Sequence, residues 1–304
     1  MTVLNQVGGI TVIVPTYNCS RLLALTLDSL CQQSLPSSQY EVIVVDDGST
    51  DDTRQVVDRY RDRIRLGYFF QDDLGFRAAA ARNIGIRHSR FDVVLFIDSG
   101  VLVSSRLLAM HQQAHQGKHD LAVLGISHGV NEYDTRHAQL ILNLMATTVD
   151  DSIAAMHTYP QLQDCRLGYL QAIDYDLSLM RDPWLIFWGG HVSVSRPALC
   201  QVRGFDEWFT SWGGEDVELG LRLLKAGCRV EMLRSVESIH YPHQRNAEEK
   251  RASSRKNVQY IHQKHGTAST RRLLTEGWEE IVGAQDALAT RYAPVVAVHD
   301  AMVE

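Results

Sequence analysis

The sequence predicts an α/β fold: a mostly parallel, Rossmann-like sheet with helices on both faces, followed by a helical C-terminal extension. Two patterns carry this. Short β-branched runs alternate with helical patterns through the first third of the chain, as in successive βα units. Those runs are apolar almost throughout, as strands covered on both faces are. No internal repeat or low-complexity linker divides the 304 residues, so one compact unit with a tail is the simplest organisation.

GITVIVPTY is the first strand. SRLLALTLDSLCQQS follows as a helix, with Leu23, Leu27 and Leu30 at helical spacing and Ser20 as candidate N-cap. YEVIVVDD is the second strand. STDDTRQVVDRYRDRI is a helix with Asp51 and Asp52 in its first turn, where the dipole favours negative charge. RLGYFF is the third strand, and FRAAAARNIGIRHS an Ala-rich helix of good propensity. FDVVLFID, SSRLLAMHQQAHQ and DLAVLGIS add a strand, a helix and a strand. Residues 129–185 are less regular, with a helical pattern in HAQLILNLMATTV. HVSVS then alternates like a strand, and Pro197 suits a helix start. EDVELGLRLLKA is a helix closed by Gly227. The tail from 246 is helical and charged.

Composition excludes several classes. The chain is 45% apolar and 22% charged, ordinary for a soluble globular protein. A net charge of −6 leaves no basic footprint for nucleic acid. No run approaches the ~18 apolar residues of a membrane span, so an integral membrane segment is not expected; peripheral association stays open. The N-terminus lacks the basic and apolar regions of a secretory signal. Five scattered cysteines without a CxxC pair read as reduced thiols, which points to the cytoplasm.

Chemistry-bearing residues gather at strand ends, where parallel sheets bind ligands. Pro15, Thr16, Tyr17 and Asn18 follow strand one, Asp46 and Asp47 end strand two, and Asp98, Ser99 and Gly100 end strand four. Alone, the Asp46–Asp47 pair reads as an Asx-turn; Asp47 could equally accept a hydrogen bond from a base. GxGxxG and P-loop patterns are absent. Arg77, Arg82 and Asn83 on the Ala-rich helix read as surface polarity or as groups near a diphosphate. In WGGEDVEL, Glu215 and Asp216 open a helix behind Gly213 and Gly214, with Trp208 and Trp212 alongside. Glycines admit a ligand, tryptophan offers a sugar platform, and an ionised Asp216 suits a general base. His240 follows a strand and is either structural or a divalent-ion ligand; spacing does not choose between it and His243.

VIVPTYN, VVDDGSTDDT, AAARNIGI, FIDSG, GGHVSVSR and GFDEWFTSWGGEDVELGLRL, ending at His240, together resemble a family-2 glycosyltransferase of GT-A fold. The second half is similar to the galactosyltransferase-type region of bacterial chondroitin- and hyaluronan-type polymerases. The resemblance implies a UDP-sugar donor. Pro15, Thr16, Tyr17, Asn18 and Asp47 would bind the uracil side. Arg77, Arg82, Asn83, Asp98 and Ser99 would lie near the nucleotide or its sugar. Trp188, Gly189, Gly190, Trp212, Gly213 and Gly214 would face donor sugar and acceptor. Asp216, beside Glu215, would be the catalytic base of an inverting reaction. Asp98 and His240 would hold Mn²⁺ or Mg²⁺.

Gly100 departs from the family, because it replaces the second carboxylate of DxD. Either Asp98 and His240 hold the ion with water filling gaps, or Arg77, Arg82 or Arg245 neutralise the leaving group without metal, or the protein binds donor without turnover. The expected units are a glycosyltransferase domain over 1–245 (1–127 nucleotide half, 128–245 acceptor half) and an extension over 246–304. The alternative function is a catalytically silent sugar-nucleotide scaffold. A sugar-phosphate nucleotidyltransferase would want a Gly-rich loop where VPTYNCSR stands. A glycan, lipid-linked saccharide, natural product or peptide all remain as acceptors.

Overall fold

A computed structural model describes residues 6–129, 135–243 and 247–283. Eight strands form one sheet: β1 (Gln6–Thr16), β2 (Tyr40–Asp46), β3 (Leu66–Phe70), β4 (Phe91–Ile97), β5 (Val101–Val103), β6 (Leu121–His128), β7 (His191–Ser195) and β8 (Arg229–His240). Their order is β3-β2-β1-β4-β7-β6-β8-β5. β3, β2, β1 and β4 are mutually parallel. β7 then runs antiparallel to both β4 and β6, and β5 antiparallel to β8, while β6 and β8 are parallel. The first half is therefore the wound parallel sheet the sequence predicts, and the second half is mixed.

The helices between these strands are α1 (Ser20–Leu30), α2 (Thr53–Asp58), α3 (Ala78–His88) and α4 (Leu107–Ala114). Beyond β6 come α5 (Thr135–Leu144), α6 (Val149–Met156), α7 (Leu167–Ala172), α8 (Arg196–Gln201) and α9 (Glu215–Lys225). The C-terminal segment carries α10 (Ala247–His265), α11 (Ala268–Arg272) and α12 (Trp278–Gly283).

Alternation along β1 divides the core. Ile10, Val12 and Val14 pack with Leu23, Leu27 and Leu30 of α1 on one face. Ile13 turns to the other face, with Phe96, Val192, Val194, Trp184 and Leu219. A satellite cluster of Leu102, Ile141, Ile153, Met156 and Ile239 lies under α5 and α6.

Two helix starts differ from expectation. α2 stops at Asp58, and Asp51 and Asp52 precede it. Asp51 caps two helices at once: its carboxylate accepts from Thr53 N at 3.0 Å and from Ser20 N at 2.9 Å. Ser20 is accordingly the first residue of α1 and makes no side-chain cap. Pro197 lies in the first turn of α8, and Gly227, at φ +85°, follows α9 as expected.

Candidate active site

A cavity of about 570 Å³ opens where β4, the start of α9 and the C-terminal helices meet. Arg82 organises its floor. The guanidinium, 4% exposed, donates to Asp98 Oδ1 at 2.8 Å and to Glu215 Oε1 at 3.0 Å. It rests over the Phe205 ring at 5.2 Å. Those two carboxylates hold its pKa further above the usual arginine range, against the opposing effect of burial. Glu215 Oε2 is buried without a hydrogen-bond partner.

Asp216 sits beside this pair. Its Oδ2 accepts from Gly189 N at 2.9 Å and its Oδ1 from Val217 N at 2.7 Å. Burial, reinforced by the Glu215 charge, pushes its pKa up to about 7. The backbone at 189–190 passes very close: an added Cβ would lie 3.2 Å from Asp216 Cβ at Gly189 and 3.2 Å from Asp98 Oδ2 at Gly190. Both glycines therefore hold space open in front of a carboxylate. Trp188, Gly190, Trp212, Gly213 and Gly214 line the same cavity.

His240 is delivered to the cavity by strand pairing. Val101 pairs with His240 across β5 and β8, and Tyr241 N donates to Gly100 O at 2.8 Å. His243 stacks on His240, centroids 5.2 Å apart, and of these two His240 lines the cavity. Asp98 is 40% exposed and keeps Oδ2 toward Gly190. An oxygen and an imidazole facing one cavity suit a divalent ion as donors.

Gly100 itself belongs to a turn closed by a 3.0 Å bond from Val101 N to Asp98 O. Its φ is +96°, and a Cβ there would meet the half-buried Leu22 side chain of α1, 3.5 Å away. A side chain at position 100 would therefore start out against Leu22 in this backbone.

Apart from Asp98, the strand-end residues form a second rim that does not line the cavity. Asp46 makes the Asx-type turn, accepting from Ser49 N at 2.8 Å, while Tyr68 OH donates to its other oxygen. Asp47 turns elsewhere: Gln71 Nε2 donates to Oδ1, and Arg77 N donates to Oδ2 at 2.7 Å. Burial raises its pKa. The Arg77 guanidinium is engaged by Asp47 and by the Asp72 carbonyl. Asn18, at φ +46°, accepts from Thr50 N at 2.8 Å, and Tyr17 OH donates to Asp73 at 2.8 Å. Ser99 Oγ donates to Pro15 O at 2.9 Å, joining the ends of β4 and β1 beside Thr16.

Two residues stand away from their expected places. Asn83 does not reach the cavity: its amide clamps Phe205 N and O and Glu207, which fixes the loop under Arg82. Trp208 stacks on Tyr260 of α10 at 3.6 Å and does not line the cavity. Arg245 and residues 284–304 lie outside the described residues.

Three wall residues escape a reading of motifs. Arg166 is buried, bonded to Asp164, to Ile186 O and to Gly125 O, and it sits 4.4 Å under the Trp188 ring. Trp278 of α12 meets the other side of Trp188 edge-on at 5.2 Å. Asn257 of α10 donates to the carbonyls of Ser211, Trp212 and Gly213, holding the Trp-Gly-Gly loop. Ser254, Val258, Ile261 and Leu273 complete this side. The tail is thus a wall of the cavity.

The chain matches the family model described as glycosyl transferase family 2 over residues 11–159. It matches that described as N-terminal domain of galactosyltransferase over 174–244. It is 38% identical over 304 residues to the validoxylamine A glucosyltransferase of Streptomyces hygroscopicus subsp. jinggangensis, covering 93% of this chain and 71% of that protein. It is 29% identical to the chondroitin synthase of Escherichia coli, covering 85% of this chain but 38% of that longer protein. Among solved structures, Staphylococcus aureus TarS 1–349 in complex with UDP-GlcNAc superposes with a TM-score of 0.57 at 18% identity, covering 97% of this chain and 75% of that one. The mannosyltransferase PcManGT from Pyrobaculum calidifontis, in complex with GDP-Man and Mn²⁺, gives 0.56 at 21%, covering 97% and 76%.

Proposed function

The chain belongs to glycosyl transferase family 2 and is a glycosyltransferase; from that premise we propose that it inverts, moving a sugar from a UDP-sugar to an acceptor hydroxyl. Asp216 carries the reading. It is a carboxylate in the cavity, fixed by two backbone N–H groups, with a pKa near 7. A base is most effective when its pKa lies near the working pH. Asp216 takes the acceptor proton, the acceptor oxygen attacks the anomeric carbon, and UDP leaves from the opposite face. Arg82 positions Asp98 and Glu215, and the Trp188–Trp278 corner presents an apolar wall to the acceptor. Pro15 to Asn18 and Asp47 form the nucleotide rim.

The charges favour a metal-dependent form. Arg77 is engaged by Asp47, Arg82 by two carboxylates and Arg166 by Asp164. Among these, no arginine is left to neutralise a diphosphate. Mn²⁺ or Mg²⁺, held by Asp98 and His240, would supply that stabilisation. In this reading residues 1–245 are the transferase domain and the later helices its acceptor-side wall. No helix among the described residues is long and apolar enough to cross a membrane. Free cysteines throughout fit a reducing cytoplasm.

The test is a UDP-sugar panel scored for UDP release, with Mn²⁺ and with chelator, led by a glucosyl donor. Turnover by the wild type and none by Asp216→Asn, with UDP binding kept, is the expected result. Full turnover by Asp216→Asn removes it as base, and donor binding without turnover on any acceptor identifies a silent scaffold. Turnover undiminished by chelator removes the metal.

A further inference from the structure

On the sheet face opposite the cavity, three side chains converge that the transfer reaction does not use. Successive strand residues point to opposite faces. Ser127 and His240 line the cavity, so His128 and Glu237 turn to the other side. The pairing of β6 with β8 sets Ile126 against Glu237 and His128 against Ile239, which brings the two side chains together. His157, the residue that closes α6, completes the group. Its Nε2 lies 2.9 Å from Glu237 Oε2, and His128 Nε2 lies 3.7 Å from the same oxygen. All three ligand atoms fall within 4.8 Å of one another, which no other group of three or more His, Cys, Asp or Glu does among the described residues.

We propose that His128, His157 and Glu237 form a second divalent-metal site, distinct from the catalytic cavity and suited to zinc. The distances support it. Ligands about 2.0–2.1 Å from a tetrahedral ion are about 3.3 Å apart, and the two observed separations bracket that value. His128 is 1% exposed, and its Nε2 is buried without a hydrogen-bond partner while directed into the cluster. Two imidazoles and one carboxylate form a set that zinc accepts, whereas Mg²⁺ and Ca²⁺ prefer oxygen alone. His157 is 49% exposed, so the open side admits water as fourth ligand.

The His128 tautomer is the point of tension. Asp164 N donates to His128 Nδ1 at 3.3 Å. Ligation through Nε2 transfers the ring proton to Nδ1 and gives up that long bond. In return the ion joins the end of α6 to β6 and β8, directly behind the strands that carry Ser127 and His240.

The test uses the full chain stripped with chelator and titrated with Co²⁺ as spectroscopic probe, then displaced by Zn²⁺. His157→Ala is the informative variant because the residue is exposed; Glu237→Gln is the second. Each is expected to weaken Co²⁺ binding at this site at least about tenfold, since losing a group that only hydrogen-bonds a metal ligand already costs that much. His240→Ala is expected to leave one equivalent of tetrahedral Co²⁺ absorption. Melting in chelator shows that the variants fold. The proposal falls if the signal disappears with His240→Ala, survives both cluster variants, or is absent from wild type; the last leaves a purely proton-sharing cluster. These readouts do not depend on turnover, so failure of the transferase reading leaves them intact.

Discussion

The rim and the floor of the site are held together in different ways. On the rim proposed for the nucleotide, carboxylates and amides are saturated largely by backbone N–H groups of adjacent segments: Ser49 on Asp46, Arg77 on Asp47, Ser20 on Asp51, Thr50 on Asn18. On the cavity floor, side chains meet side chains across long stretches of chain. Arg82 and Glu215 are 133 residues apart. A rim built from turns is preformed and tolerates side-chain change. A floor built from buried ion pairs fails when one partner goes, because an uncompensated charge remains.

Substitutions can break or sharpen this contrast. Asp216→Asn has the largest expected effect on rate, a loss of about 10²–10⁴ in turnover if it removes only the general base, with little change in melting. Its partner prediction is a rising limb in the wild-type rate through about pH 7, because the base acts only once ionised. Arg82→Met leaves Asp98 and Glu215 facing each other; urea unfolding is expected to show about 3–5 kcal/mol of lost stability. A loss below 1 kcal/mol would mean that the floor is no more brittle than the rim.

Acid sharpens the comparison next. His111, His191 and His115 are buried: Ser193 Oγ lies 2.8 Å from His111 and 2.8 Å from His115, and His191 meets His111 directly at 3.1 Å. Burial lowers His115 to about 4 and His191 to about 3, and holds His111 well below its ordinary range. The unfolded chain takes up these protons below about pH 6.5, so stability falls as pH drops from there toward 4. The slope is about 1.4 kcal/mol per pH unit for each histidine. Asp216, with its raised pKa, works in the opposite sense over the same window, so urea titrations in Asp216→Asn are expected to give the steeper fall.

Asn257→Ala removes three amide bonds to the carbonyls of residues 211–213 and the one accepted from Ser211 Oγ, leaving half-buried groups without these partners. A cost of about 1–3 kcal/mol is expected, with KM for acceptor raised and UDP affinity unchanged. An unchanged KM would separate the C-terminal helices from acceptor binding. Gly100→Asp is the smallest. It is expected to lose about 1–2 kcal/mol to the left-handed backbone and to gain no Mn²⁺ affinity, since its Cβ faces Leu22. Tighter Mn²⁺ binding would show that the turn can re-form.

The contrast also sets what the sequence reveals. The parallel half is legible because each βα unit closes on its neighbour, and apolar runs with Gly and Asp punctuation mark the strand ends. Asp98, Asp216 and His240 are legible through motifs, and the cavity does bring them together. Asn83 and Trp208 mislead because an amide and an indole look alike in sequence whether they meet a ligand or clamp a loop. Arg166, Asn257 and Trp278 carry no local signature; each acquires its place only from packing across the chain. The antiparallel insertion of β7 is invisible for the same reason, since five alternating residues give no direction.

The sheet finishes on β3, five residues long, and β5, three residues long. At those two ends the unpaired backbone rows are short and give another chain little length on which to extend the sheet. β8 differs: β5 pairs with only three of its twelve residues, Ser238–His240, so among the described residues Arg229–Glu237 has no strand on that side. Edge-to-edge association at high concentration would therefore have to start along β8 rather than at the ends of the sheet.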